Sequence, residues 1–159
     1  MSKKRIEDVI YDFLKGDAQK NALDFITHLR TGEKSEDFSI DMHDEKDESG
    51  WSVSNLGFII VNGSDEFPGP WTMWVSVNNI GEHSESTIPD HVKEFAWAHV
   101  SPCGSCGGDC SPGTDTKVFG RDFKNVCQHN LMFVNPDSAA VACMKEIIDI
   151  RKNDVLKGK

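Results

Sequence analysis

The chain has 159 residues, 38% hydrophobic and 27% charged, with a formal net charge of −9 and an isoelectric point near 5.0. A chain of this length forms one domain and buries roughly 70% of its unfolded surface, so a hydrophobic core needs no disulfides. The acid excess argues against nucleic acid or an anionic membrane as partner: neutralising phosphates takes a clustered basic face, and the basic residues here are scattered or sit at the ends, Lys3-Lys4-Arg5 and Arg151 to Lys159.

The longest apolar runs, Phe58 to Val61 and Leu131 to Val134, fall far short of the roughly 20 residues that cross a bilayer. Glu7, Asp8 and Asp12 interrupt the start of the chain before any apolar stretch can develop. The expectation is a cytoplasmic protein without a secretory signal, whose thiols stay reduced. Five cysteines, an odd number, are then read as metal ligands, redox groups or packed thiols rather than as a disulfide framework.

Residues 1–33 read as a helical hairpin. Ile6, Val9, Ile10, Phe13 and Leu14 fall at i, i+3, i+4, i+7 and i+8, which makes one apolar stripe. Gly16 ends that helix and Asp17 caps the next, in which Ala18, Ala22, Phe25, Ile26 and Leu29 repeat the spacing until Gly32. Residues 37–78 change to period two. Phe38, Ile40 and Met42 alternate with polar neighbours, the acidic run Asp41 to Gly50 reads as a hairpin loop, and Trp51 with Val53 resumes the alternation. Leu56 to Val61 and Trp71 to Val77 give two further strands, separated by the turn chemistry of Asn62-Gly63-Ser64 and Pro68-Gly69-Pro70.

Residues 87–100 predict a short helix opened by Thr87 and Asp90 as a capping box, with Val92, Phe95, Ala96 and His99 at helical spacing. Residues 101–116, rich in Gly, Ser, Pro and Cys, predict a loop. Lys117 to Phe119 make a short strand, and 125–134 another, with Cys127, His129, Leu131 and Phe133 on one face. Asn135-Pro136 opens a helix over 136–152, and the polar tail from Lys152 is expected to fray. The fold class is α+β, an antiparallel sheet with an N-terminal helix pair and a C-terminal helix, plus a Cys/Gly-rich loop.

That loop is the chemically distinctive feature. Cys103 and Cys106 form a C-x2-C followed by Gly107, with Cys110 close behind. Two thiolates one turn apart can grip one ion, and glycines let backbone N–H groups turn toward the sulfurs. Cys127 completes a candidate zinc set of Cys103, Cys106, Cys110 and Cys127, with His99 and His129 as substitutes. An iron–sulfur cluster would use the same ligands. The alternatives are a thiol redox centre at Cys103 and Cys106, for which no helix can follow Gly107-Gly108 to lower a thiol pKa, and reduced cysteines packed as small apolar groups. Cys143 reads as an inert residue of the last helix.

Four tryptophans, Trp51, Trp71, Trp74 and Trp97, suggest an aromatic-walled pocket for a small molecule, against the plainer reading that they pack sheet against helices. Trp71 and Trp74 must face opposite sides of their strand. The acidic segment from Asp41 to Glu48 lacks the fixed ligand spacing and central glycine of a calcium loop. His83 and His91 lie among Glu82, Glu85 and Asp90 with nothing to enforce their proximity. No nucleophile elbow, phosphate-binding glycine loop or paired-histidine metal motif occurs. The sequence therefore points to a non-catalytic domain that binds a small molecule or a protein partner and is stapled by a structural zinc.

Overall fold

A computed structural model describes residues 4–31, 35–44, 47–62, 69–77, 88–102 and 113–157, with backbone alone at 35–36, 43–44, 47–48, 128–129 and 157. Two helices, α1 (Ile6–Phe13) and α2 (Gly16–Leu29), precede four strands: β1 (Ile40–Asp44), β2 (Asp47–Val53), β3 (Gly57–Val61) and β4 (Trp71–Val75). There follow α3 (Asp90–Ala98), β5 (Val100–Pro102), β6 (Thr114–Val118), β7 (Arg121–Val134) and α4 (Ser138–Lys157). The strands form one antiparallel sheet in the order β1-β2-β3-β4-β7-β5, with β6 also paired to β7. This is the expected α+β architecture.

Register fixes what each face carries. Met42, Trp51, Ile59, Met73 and Phe133 lie opposite one another in successive strands and share one face. That face meets the helices: the Phe25 ring of α2 is 6.0 Å from Trp71, and the Phe95 ring of α3 stacks at 5.5 Å on Phe133. On α1, Ile6, Val9 and Ile10 are fully buried, as their spacing requires. Each contributes roughly 2 kcal/mol by leaving water. The opposite face carries Ser52, Phe58, Trp74 and Met132 in the same cross-strand row.

Several sequence expectations need correction. The segment Asp41 to Gly50 is not a long loop. Asp41 to Asp44 belong to β1 and Asp47 to Gly50 to β2, and the two strands pair as far as Asp44 with Asp47; β1, as the edge strand, tolerates polar residues on a solvent face. Phe38 belongs to a 3-10 turn, Ser35–Phe38, rather than to a strand. Gly16, with φ +58, opens α2, so Asp17 lies in the first turn instead of capping it. α3 begins at Asp90 behind Pro89, while Thr87 lies outside the described residues. The supposed loop 101–116 has strand at both ends, β5 and β6, since β7 offers both of its edges for pairing.

The strand expected over 125–134 starts earlier, at Arg121, and its alternation is broken. Val100 pairs with Leu131 but Pro102 with Val126, so β7 bulges between them, and adjacent residues Val126 and Cys127, then Asn130 and Leu131, are buried together. The last helix is capped by Asp137, whose Oδ1 accepts from the Ala140 N–H at 2.8 Å, and not by Asn135, which sits at φ 41 and donates to the Trp71 carbonyl. It runs to Lys157 without fraying at Lys152, because that residue is only 8% exposed and bound to the end of α2.

Candidate functional site: a cleft at the sheet edge

α1 packs over β2 and β3, and β1 is the edge strand beyond them. The helix layer leaves the inner face of β1 incompletely covered. Ile40 and Met42 point to that face yet are only half-buried. The result is a cleft of about 390 Å³ between the start of α1, the end of α2 and the β1–β2 edge. Its apolar wall is formed by Ile6, Ile40, Met42 and Trp51. Clefts of roughly 300–1,000 Å³ with apolar walls and a few polar groups are the usual shape of small-molecule sites.

Three cations, Lys4, Arg5 and Arg30, and one carboxylate, Asp41, line the same space. Glu7 organises the two arginines. Arg30 donates to it through Nε and through Nη2 at 3.1 Å, and Arg5 donates through Nη2 at 3.2 Å. Burial pushes the Glu7 carboxyl up, but the Arg30 hydrogen bond, a backbone N–H and the charges of Arg30 and Arg5 outweigh it, so its pKa lies below the usual value. The Lys4 ammonium lies 3.1 Å from the Asp12 carboxylate.

Of the four tryptophans expected to wall a pocket, Trp51 alone lines this cleft. Trp71 is fully buried against Phe25, and its indole N–H meets no partner among the described residues. Trp74 lies on the other sheet face, 6.3 Å from Phe58. Trp97 donates to the Val118 carbonyl at 2.7 Å and stacks under the Arg121 guanidinium at 5.5 Å. The structure therefore distributes the tryptophans over separate packing sites. No local spacing marks Lys4, Arg5, Glu7 and Arg30 as a site. The run Lys3-Lys4-Arg5 was visible, but only tertiary packing brings Arg30 to it.

The proposed zinc ligands Cys103, Cys106 and Cys110 lie outside the described residues, as does the side chain of His129. Cys127 is a buried thiol on β7. His99 is held by a 2.8 Å contact between Nδ1 and the Phe95 carbonyl, with its ring against those of both Phe95 and Phe133, at 4.4 and 5.0 Å between centroids. Among the described residues no group of three or more His, Cys, Asp or Glu side chains is arranged to hold a metal. The Cys143 thiol is half-buried, and burial together with the Glu146 charge raises its pKa, which disfavours the reactive thiolate. His91 contacts Glu146 at 2.9 Å on the surface, while His83 is outside the described residues.

No helix among the described residues is long and apolar enough to cross a membrane. No family model, curated protein or solved structure matches the chain.

Proposed function

We propose that the protein is a non-catalytic binding domain whose ligand is a small molecule seated in the cleft beside Trp51. The observation that carries this reading is the 390 Å³ space itself, lined by aromatic and aliphatic residues together with three cationic ones. Such a combination can bury an apolar body and orient a polar end. Binding is preferred to catalysis because the described lining residues offer cations and an apolar surface rather than a nucleophile paired with a base.

A direct test is a thermal-shift screen of small molecules against the wild type and an Ile40→Trp variant. Ile40 is half-buried at the edge strand, where an aromatic side chain is compatible with strand structure and would fill the cleft. Hits should stabilise the wild type and lose their effect in the variant. Hits that stabilise both proteins equally would place the ligand elsewhere.

A structural zinc held by Cys103, Cys106, Cys110 and Cys127 is a second, independent reading, supported by strand register. Pro102 and Thr114 both pair with Val126, from opposite edges of β7. The segment between them carries the first three cysteines, and both its ends are anchored one residue from Cys127. A metal there would order a segment too rich in glycine to build a core of its own. Elemental mass spectrometry on protein purified without chelator should find one zinc per chain, with protected thiols. Metal-free protein with freely titrating thiols would remove this reading. A thiol that alkylates well below a pH of roughly 8.5 would favour the redox alternative at Cys103 and Cys106.

A further inference from the structure

We infer that the cleft selects amphipathic anions: a ligand with a carboxylate or comparable acid group held by Arg5 and Arg30, and a short apolar body lying against Ile40 and Met42. This rests on the cleft being the binding site and goes on to name the chemical class it takes.

The chain as a whole is strongly acidic, at −9, yet cations outnumber carboxylates three to one in the cleft lining among the described residues. The two guanidiniums are pre-placed. Glu7, with its side chain 20% exposed, holds both, and the Arg5 and Arg30 side chains themselves remain 66% and 38% exposed. A carboxylate accepts at about four lone-pair sites, whereas two guanidiniums carry about ten N–H donors. Glu7 accepts from three of those nitrogens, so most donors are left to water or a ligand.

Arginine's planar fork matches an acid group in two-point geometry. Because Glu7 has already fixed the side chains, a bound anion would cost them little further ordering. The apolar wall then explains why the ligand is not a bare inorganic anion. Trp51 is 2% exposed and Ile6 fully buried, but Met42 and Ile40 are left half-covered, and a short hydrocarbon body would complete their burial.

The test compares octanoate with octanamide, which share the apolar body and differ in charge, by calorimetric titration at low ionic strength. Wild-type protein should bind octanoate about tenfold or more tightly than octanamide, reflecting the greater strength of charge-assisted hydrogen bonds. That preference should weaken as salt is raised. The double variant Arg5→Met, Arg30→Met should lose the preference while keeping the weaker octanamide binding, and its circular dichroism should match the wild type.

Equal binding of the two probes would overturn the anion inference and leave the cleft as a site for neutral molecules. Binding of octanoate that persists undiminished in Ile40→Trp would overturn the cleft reading as well. So would failure of both probes to bind.

Discussion

Lys152, near the end of α4, donates through Nζ to the Leu29 carbonyl at 2.9 Å and to the Thr31 carbonyl at 3.2 Å, closing the last turn of α2 from a helix more than a hundred residues away. Helix ends leave carbonyls without intrahelical partners, and a cation there meets both their lone pairs and the negative end of the helix. The same ammonium sits 5.2 Å from the Phe38 ring centre. Lys152→Met keeps the stem but strips the donors. It should cost about 1–3 kcal/mol by leaving the carbonyls unpaired, read as a lowered denaturant midpoint with an unchanged slope.

The same residue makes a pH prediction. Burial lowers the Lys152 pKa, and the charge of Asp149 offsets part of that effect. Between the lowered folded value and the unfolded value of roughly 10.4, the unfolded chain binds more protons than the folded one. Stability contributed by Lys152 therefore rises with pH across that window. The gap in stability between wild type and Lys152→Met should widen from neutral pH toward the alkaline end. A gap that stays constant would mean the ammonium is not desolvated by folding.

Glu7→Gln should loosen both arginines at the cleft. With the pair partly exposed, the stability cost is only about 1 kcal/mol at neutral pH. Because the folded protein lowers the Glu7 pKa, the contribution is fully present above the unfolded value of roughly 4.3 and is lost as pH falls through the folded value. Wild type and variant should converge in denaturant midpoint in acid. Octanoate affinity should fall too, because the guanidiniums would no longer be pre-placed.

Gly57 opens β3 where the chain passes close to β4. A Cβ added there would overlap the backbone carbonyl of Trp74, which cannot swing away as a side chain could. Gly57→Ala should destabilise by about 2–3 kcal/mol or more, whereas Gly16→Asn, with no atom near the added Cβ, should cost less, through the strain of φ +58 alone, which asparagine adopts more readily than other side chains. Thermal melts of the two variants make the comparison.

Asn130, at 1% exposure, accepts from the Val77 N–H at 3.0 Å and donates to the Cys127 carbonyl at 3.3 Å, so it ties the bulge of β7 to the segment just past β4. Asn130→Ala should cost about 1–3 kcal/mol through the buried groups it leaves unpaired, with faster amide exchange at Val77 as the local signature.

Periodicity carried the elements whose two sides differ sharply. The stripe Ile6, Val9, Ile10 marks α1, and the alternation of Trp71, Met73 and Val75 marks β4 as a strand, although Thr72 and Trp74 on its other side are buried as well. It failed where both sides of a strand are polar. Asp41 to Gly50 and Thr114 to Lys117 gain their strand character from pairing with a neighbour, which composition does not encode. It failed again at Cys127 to Asn130, where a bulge resets the alternation. Of the cleft, Trp51 was legible as an aromatic of interest. Its meeting with Arg5 and Arg30 depends on how α1 and α2 lie on the sheet, a long-range relation that no local spacing reports.

The most direct measurement follows the methionine methyl groups by nuclear magnetic resonance as octanoate is added to isotope-labelled protein. Met42 lines the cleft, Met73 and Met144 are fully buried in the core, and Met132 lies on the opposite sheet face. A saturable shift at Met42, with Met73, Met132 and Met144 unmoved, is the predicted result. A Met42 signal that stays in place while octanoate saturates the protein, or a shift at Met132 instead, would contradict a ligand site at the β1–β2 edge.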